Sequence, residues 1–185
     1  MKNYNYIWIR AILFTISFIV CTNVFSVQTV KTYNYKFTDS DFQLVYENGK
    51  TNIKSTKYNL SLLKDTLKPA IPYITANILL PKDATLSNVS YKVVSEKSLG
   101  NYTLTNNPRL ILNDGCFEMQ ESNEQSLAEG VFPRSLIENY VMNVMDGYRI
   151  ASVQLSPFIY NADNNNLTLV TDINIEICFD NEAST

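Results

Sequence analysis

The chain has 185 residues, of which 45% are hydrophobic and 18% are charged; it is long enough for one domain with a core, and it is too apolar for a disordered chain. Fifteen basic and 18 acidic residues give a net charge of -3, so the chain lacks the excess of cations with which proteins bind nucleic acid. Histidine is absent, which excludes catalysis by a histidine base of this chain and removes the commonest zinc ligand.

The first 26 residues are typical of a secretory signal peptide. Lys2 and Arg10 accompany an apolar run from Ala11 to Val20, and Val24 and Ser26 lie three and one residues before the expected cleavage site. The apolar run is shorter than the roughly 18 residues that span a membrane. We therefore expect export, cleavage and no stable membrane span afterwards, although a membrane anchor or a buried N-terminal strand are the alternatives.

The predicted domains are a signal peptide over residues 1–26 and one β-domain over residues 27–185. Short segments of alternating or continuous apolar residues are separated by polar turns such as Asn48-Gly49, which is typical of an antiparallel β-sandwich. The segment Ile71–Pro81 is apolar at both parities, so we expect it to be a central strand buried on both faces. Further strands are expected at Thr32–Phe37, Phe42–Tyr46 and Val89–Val93.

The clearest pattern closes the chain. Apolar and polar residues alternate between positions 167 and 179, which indicates a strand with one buried face and one wet face. Tyr148–Tyr160 is predicted to be its hairpin partner, joined by a turn at Asn161–Asn166, with a β-bulge near Ala151 where the apolar parity shifts. The apolar members of the closing strand are Leu167, Leu169, Ile173, Ile175, Ile177 and Phe179.

Two segments are harder to assign. Residues 134–145 carry apolar side chains at helical spacing, which fits one short helix, but their Met and β-branched residues also fit extended structure. The polar, acidic stretch Asn113–Gly130 is predicted to be a long loop or lid.

No pattern of metal, cofactor or catalytic residues stands out. Asp39, Asp41 and Asp163 lie in turn-like segments without completing a calcium-binding loop. Removal of residues 1–26 leaves two cysteines, Cys116 and Cys178, and takes away two cations, so that 13 basic and 18 acidic residues give a net charge of -5. An oxidising compartment would permit a disulfide between these cysteines. The place of Cys178 on the wet face of its strand speaks against the disulfide, so a disulfide, two free thiols, and one exposed and one buried thiol all remain open.

Three features resemble the N-terminal propeptide of gingipain-type secreted bacterial cysteine peptidases. They are the closing segment "GYRIASVQLSPFIYN" with "LTLVTDINIEI", the block "PAIPYITANILLPKDATLSNVSYKV", and the spacing from Pro133 to Gly147-Tyr148-Arg149. The resemblance spans Tyr33 to Phe179 and implies an all-β propeptide that folds as a separate unit. It also implies export to the outside or the cell envelope, and it favours extended structure over residues 133–147.

Such a propeptide would pack on a cysteine peptidase domain in cis or in trans, assist its folding and cover its active-site cleft. The resemblance implies no catalytic residue here, because the family's catalytic Cys and His belong to a peptidase domain that these 185 residues do not match. If the partner cleaves after basic residues, an arginine could block its specificity pocket, and Arg109 and Arg134 near the stretch Asn113–Gly130 are the candidates.

Two other functions remain open from the sequence. The same sandwich could be a cell-envelope module for adhesion or binding, with aromatic rows such as Tyr33 and Tyr35 as the contact surface. Alternatively, the chain could be the remnant of an interrupted peptidase gene.

Overall fold

The computed structural model describes residues 27–62, 68–107, 109–114, 116–120 and 129–181, so the predicted signal peptide lies outside the described residues. The described part is almost entirely β-structure, which confirms the predicted fold class. Its regular elements are β1 (Val27–Lys36), the 3-10 turn Asp39–Asp41, β2 (Gln43–Glu47), β3 (Lys50–Lys54), β4 (Ser61–Leu62), β5 (Pro72–Leu80), β6 (Ala84–Asn101), β7 (Arg109–Asn113), β8 (Cys116–Gln120), β9 (Val131–Phe132), β10 (Ile137–Met145), β11 (Tyr148–Leu155), β12 (Phe158–Asn161) and β13 (Asn166–Asn181).

Two antiparallel sheets form the sandwich. In the first sheet the long strand β13 is central: β6 pairs along one of its edges, β1 and β12 share the other edge, and β9 extends the sheet beyond β12. The second sheet has the order β10-β11-β5-β4. The hairpins β2–β3 and β7–β8 are separate two-stranded sheets. The predicted antiparallel β-sandwich is therefore confirmed.

The core lies between the inner faces of the two sheets. All six apolar residues predicted for the buried face of the closing strand are completely buried, whereas their neighbours at the other parity, apart from the buried Val170, are half-buried. The second sheet contributes residues such as Ile78, Val153 and Leu155 from its inner face. The alternation of β13 from Ile173 to Phe179 follows from one face packing on this core and the other facing water. It is interrupted at Leu169 and Val170, which are both buried and lie next to a register shift in the pairing with β6.

The predicted partner of the closing strand is two strands in different sheets. β11 pairs with β5 and β10 in the second sheet, and β12 alone pairs with β13 through the predicted turn, which residues 162–165 form. The chain crosses between the sheets at Ser156-Pro157. Proline has no amide hydrogen to continue a ladder, and the buried Ser156 hydroxyl accepts a hydrogen bond from Phe158 N at 3.2 Å.

The predicted bulge near Ala151 is wrong. β11 stays in continuous register with β5 from Arg149 to Leu155, with Ala151 on the buried face and Ile150 on the outer face. The outward apolar Ile150 therefore caused the apparent shift of parity. The β10–β11 pair does contain a register shift, but it lies in the neighbouring strand β10, between Ile137 and Asn139.

Residues 134–145 form no helix, so the helical alternative is wrong and the extended one is confirmed. Ile137–Met145 is β10, and it forms a hairpin with β11 through Asp146 and Gly147, whose φ angles are 50° and 81°. Positive φ at both central residues is the condition for a type I′ hairpin turn. The cross-strand hydrogen bonds to β11 decide between the two conformations that the apolar spacing allowed.

The stretch Asn113–Gly130 is not wholly a loop. Its first part completes the hairpin β7–β8, whose turn includes Asp114 at a φ of 47°. The Asp114-Gly115 dipeptide is a hairpin signal that the loop prediction overlooked. Residues 121–128 lie outside the described residues.

The strand predicted from Ile71–Pro81 is buried on one face only. Thr75, Asn77 and Leu79 of β5 are exposed, because the second sheet is covered by the first sheet on its inner side alone. The predicted turn at Asn48-Gly49 is confirmed as the tip of the β2–β3 hairpin. No helix in the described residues is long and apolar enough to cross a membrane.

Candidate functional site

The hairpin β7–β8 leaves the sandwich between two fixed points. On the entry side Asn107 is 1% exposed, and its backbone N donates to the Lys68 carbonyl oxygen at 3.0 Å. On the return side Gly130 N donates to Asp163 Oδ1 at 2.8 Å, and the Gly130 carbonyl accepts from Ala162 N at 2.9 Å. The hairpin pairs with no other strand of the described residues. The sandwich thus holds both ends of the segment that contains this hairpin.

The two arginine candidates lie on different elements. Arg109 begins β7, and its side chain lies outside the described residues. Arg134 is exposed in the connection between β9 and β10, and it joins no ion pair with another described residue. The connection is anchored by the buried Leu136, whose backbone N donates to the Tyr91 hydroxyl at 3.3 Å. Arg134 therefore stands in solvent next to a fixed point of the second sheet.

Cys116 and Cys178, the two cysteines considered for a disulfide, are free thiols in the structure. Cys116 is exposed at the start of β8, opposite Asn113. Cys178 is half-buried in β13 between Val30 of β1 and Asn88 of β6, on the wet face that its parity predicted.

The three aspartates considered as calcium ligands have structural contacts. Asp41 is 8% exposed; its carboxylate accepts from Lys57 Nζ at 2.7 Å and from Thr38 N at 2.9 Å. The hydrogen bond from Lys57 holds the pKa of the Asp41 carboxyl below its usual value. Asp39 bonds Lys97, and Asp163 caps Gly130 as described above. Within the described residues no group of three or more acidic or cysteine side chains could hold a metal ion.

The aromatic row of β1 does not form an exposed patch. Tyr33 and Tyr35 are half-buried and pack against the core, and Phe37, which continues the row, is 3% exposed. Burial is the main cause that raises the pKa of Tyr35. These rings therefore stabilise the first sheet and offer little surface to a ligand.

An exposed apolar surface that the sequence patterns did not predict lies on the β10–β11 hairpin and the adjacent β5. Its most exposed members are Val144 at 67%, Met145 at 62%, Tyr148 at 60%, Leu79 at 60% and Val141 at 44%. The signal was present in the apolar residues of 134–145, which helical spacing would place on one buried stripe. In a strand the same residues divide between two faces, and neither face is fully covered.

A groove runs beside this surface, where the edges of the two sheets approach each other. It has a volume of about 580 Å³ and is lined by β6 and by the start of β10, including Tyr91, Ile137, Glu138 and Tyr140. That volume lies within the range of ligand pockets, but the lining is an even mixture of polar and apolar groups. The groove therefore lacks the predominantly apolar lining of a typical small-molecule pocket.

Comparison with known proteins agrees with this architecture. The family model Propeptide_C25 matches residues 23–185, while no curated protein sequence matches the chain. The fold is similar to that of a chain in the complex of Porphyromonas gingivalis RgpB pro- and mature domains, with a TM-score of 0.56 and 14% identity over 86% of this chain and 83% of that chain. It is also similar to a structure of gingipain K from the same organism that concerns zymogenic latency, with a TM-score of 0.58 and 18% identity over 83% of this chain and 92% of that chain.

Proposed function

Since the chain belongs to the Propeptide_C25 family, we propose that it acts as the propeptide of a gingipain-type cysteine peptidase: a non-catalytic β-sandwich that packs on the peptidase domain, keeps it inactive and assists its folding. The partner is a cysteine peptidase domain, in cis or in trans. The observation that carries the proposal is the family match over residues 23–185, together with a fold similar to that of a pro-domain in complex with its mature domain.

The hairpin β7–β8 and the segment after it are the proposed contact with the active-site cleft. Both ends of residues 108–129 are bonded to the sandwich, at Asn107 and Gly130, so the sandwich fixes the two points at which the segment leaves it and returns. The rest of the sandwich supplies the surrounding surface, which in a stable complex is about 800 Å² on each partner.

Arg109 and Arg134 are the proposed residues for the specificity pocket. A guanidinium group binds a carboxylate at the base of such a pocket through paired hydrogen bonds. Arg134 is exposed and joins no ion pair with another described residue, so it can take such a contact without breaking an existing one. The proposal applies if the partner cleaves after basic residues.

Export through cleavage after residue 26 belongs to the same proposal. The first described strand begins at Val27 and pairs with Asn181 at the edge of the sandwich. The mature chain would function outside the cell or in the cell envelope.

The test uses the chain from Val27 onward and the gingipain-type peptidase of the source organism. We expect micromolar chain to inhibit hydrolysis of a peptide substrate and to raise the yield of active peptidase on refolding from denaturant. An unrelated papain-like peptidase, as control, should remain fully active. Unchanged activity together with an unchanged refolding yield would refute the proposal.

The same assay separates the two arginines. If Arg134 occupies the specificity pocket, Arg134→Ala should weaken inhibition at least about tenfold, the effect of losing roughly 1.4 kcal/mol of binding energy, without lowering the melting temperature. Arg109→Ala is the matched variant, and whichever substitution weakens inhibition identifies the blocking residue. Full inhibition by both variants would exclude both arginines.

The alternative function, a cell-envelope module for adhesion or binding, has less support from the structure. Its predicted contact surface, the row with Tyr33 and Tyr35, is half-buried against the core.

A further inference from the structure

The outer face of the second sheet carries no charged side chain between its two ends. Alternate residues of β5 are exposed and define the outward parity, and directly paired residues of neighbouring strands share a face, so the register gives the outward residues of β11 and β10. The outward-facing residues within Thr75–Leu79, Tyr148–Gln154 and Asn139–Met145 are all uncharged, and we call them the uncharged face. Glu138 lies outside it, in the register shift of β10.

The outer face of the first sheet is charged by contrast. In β13 Asp172 and Glu176 lie on this face, at the parity opposite to the buried isoleucines. Lys36 of β1 pairs with Asp172, and their charged groups lie 3.6 Å apart. On β6 Lys92 pairs with Asn174 of the same face. Depletion of charge, with enrichment of Tyr and Met, is the compositional signal of the core of a protein interface, and only the second sheet shows it.

The polar groups of the uncharged face are prepared for loss of water. Across its middle Asn143 Nδ2 donates to Ser152 Oγ at 3.0 Å, and Ser152 Oγ donates to Asn77 Oδ1 at 2.8 Å. These side chains satisfy part of their hydrogen bonding among themselves, so covering them leaves fewer unpaired polar groups. Beside this row Leu79 and Tyr148 are each 60% exposed and offer an aliphatic and an aromatic contact.

The position of the uncharged face links it to the proposed contact with the peptidase. At one end of the second sheet Asn107, which precedes the β7–β8 hairpin, is bonded just ahead of β5, and Arg134 precedes β10. At the other end β13 stops at Asn181 beside Ala84, whose carbonyl oxygen accepts a hydrogen bond from Arg149 of β11. A peptidase domain joined in cis would follow β13 at that end. The face therefore lies between the elements aimed at the cleft and the connection to the peptidase.

The size of the uncharged face favours the peptidase over a second copy. Three strands spaced about 4.8 Å apart, with the length of the eight residues of β11 at about 3.4 Å per residue, cover roughly 390 Å². A stable complex buries about 800 Å² on each partner, so two copies that met on this face alone would bury too little. A peptidase that also receives the β7–β8 hairpin and Arg134 adds the missing area. The face has no Lys or Arg, which disfavours an anionic lipid surface.

We propose that the chain docks on the peptidase domain through the uncharged face, with Leu79 and Tyr148 as its apolar anchors. This inference rests on the proposed function and assigns a surface to it. The matching surface of the peptidase is uncharged and partly apolar, because a charge placed against this face would lose its water without gaining a partner. The β7–β8 hairpin and Arg134 then reach the cleft from one end of the docked sheet.

The experiment measures binding of the chain from Val27 onward to the separate peptidase domain by surface plasmon resonance. The catalytic cysteine of the peptidase is replaced by alanine, so that the chain is not cleaved. Leu79→Lys places a charge in the face and should weaken binding at least about thirtyfold, the size of a hot-spot loss. Val30→Lys is the matched control, because Val30 is 54% exposed on the outer face of the first sheet, and it should bind like the wild-type chain.

A second variant and a second readout complete the test. Tyr148→Lys repeats the substitution on β11 and decides the matter if Leu79→Lys does not fold, which circular dichroism melting shows. Inhibition of peptide hydrolysis by the wild-type chain is measured with the active peptidase. Sedimentation of the chain alone gives its association state, which should be monomeric.

The outcomes separate the docking surface from the proposed function. Wild-type inhibition with equal binding by the wild-type chain and the face variants would overturn the docking surface and leave the proposed function standing. Equal weakening by Leu79→Lys and Val30→Lys would overturn it as well, since any added lysine would then suffice. A wild-type chain that neither binds nor inhibits would refute both. A wild-type dimer that Leu79→Lys dissociates would assign the face to a second copy and overturn the proposal.

Discussion

Single residues contribute most clearly to the fold where their side chains are completely buried in the core. Ile173, Ile175 and Ile177 of β13 are wholly buried, and the polar residues between them are half-buried. Asp41 is the opposite case, a carboxylate that is nearly buried and still stabilising. Burying this carboxylate without partners would cost free energy of folding. The hydrogen bonds from Lys57 Nζ and Thr38 N offset that cost.

The lowered pKa of Asp41 predicts how the stability of the fold depends on pH. Because its pKa is lowered in the folded state, its stabilising contribution is present above the unfolded pKa of about 3.9 and is lost as the pH falls through the folded pKa. Asp41→Asn should lower the melting temperature at neutral pH, and the gap to the wild-type chain should narrow below about pH 4. Thermal melting followed by circular dichroism at both pH values measures it.

Glu47→Gln is the matched control. Glu47 pairs with Lys54 at 3.7 Å, and both side chains are more than half exposed, so the substitution should change stability very little. An Asp41→Asn variant that melts like the Glu47→Gln variant at neutral pH would contradict the assigned role of Asp41.

At the scale of elements, β10 shows how one sequence fits two conformations. The spacing of Tyr140, Val141, Val144 and Met145 suits an apolar helical stripe, yet the segment is a strand. At its end Asp146 and Gly147 form a turn with positive φ that returns the chain directly into β11. Residues with positive φ also cap the ends of helices, so the pairing with β11, and not the turn residues alone, decides for the strand.

Gly147 should therefore be sensitive to substitution. Its φ of 81° lies in the left-handed region, where an L side chain is strained, so Gly147→Ala should lower the free energy of unfolding by about 1 kcal/mol. No atom lies within 4 Å of an added Cβ, which means that a loss of stability would come from backbone strain and not from a clash. Urea denaturation measures the change. Asp146→Gly, which keeps a residue that tolerates positive φ, should stay within about 0.5 kcal/mol.

At the scale of the whole molecule, the two sheets depend on each other. Neither sheet has a core of its own, since the buried apolar residues come from the facing surfaces of both. Polar contacts also join the sheets: Arg149 Nη1 donates to the Ala84 carbonyl oxygen at 2.6 Å, and Leu136 N donates to the Tyr91 hydroxyl at 3.3 Å.

This interdependence predicts a single cooperative unfolding transition. Far-ultraviolet circular dichroism, which follows the sheets, and near-ultraviolet circular dichroism, which follows packed tyrosines such as Tyr73 and Tyr160, should give the same midpoint in urea. Two separate midpoints would show that one sheet persists without the other.

Local sequence patterns were sufficient to predict the fold class, the buried face of β13, the turns at Asn48-Gly49 and 162–165, and the resemblance to propeptides of cysteine peptidases. These features depend on local alternation and turn chemistry, which are written in neighbouring residues. Only the folded structure shows that Tyr148–Tyr160 divides between two sheets, that Tyr33 and Tyr35 are half-buried, and that β10 lies at an edge of the second sheet. Each of these depends on which strands lie beside or above a segment, and those contacts join residues far apart in the chain, where a local pattern carries no information.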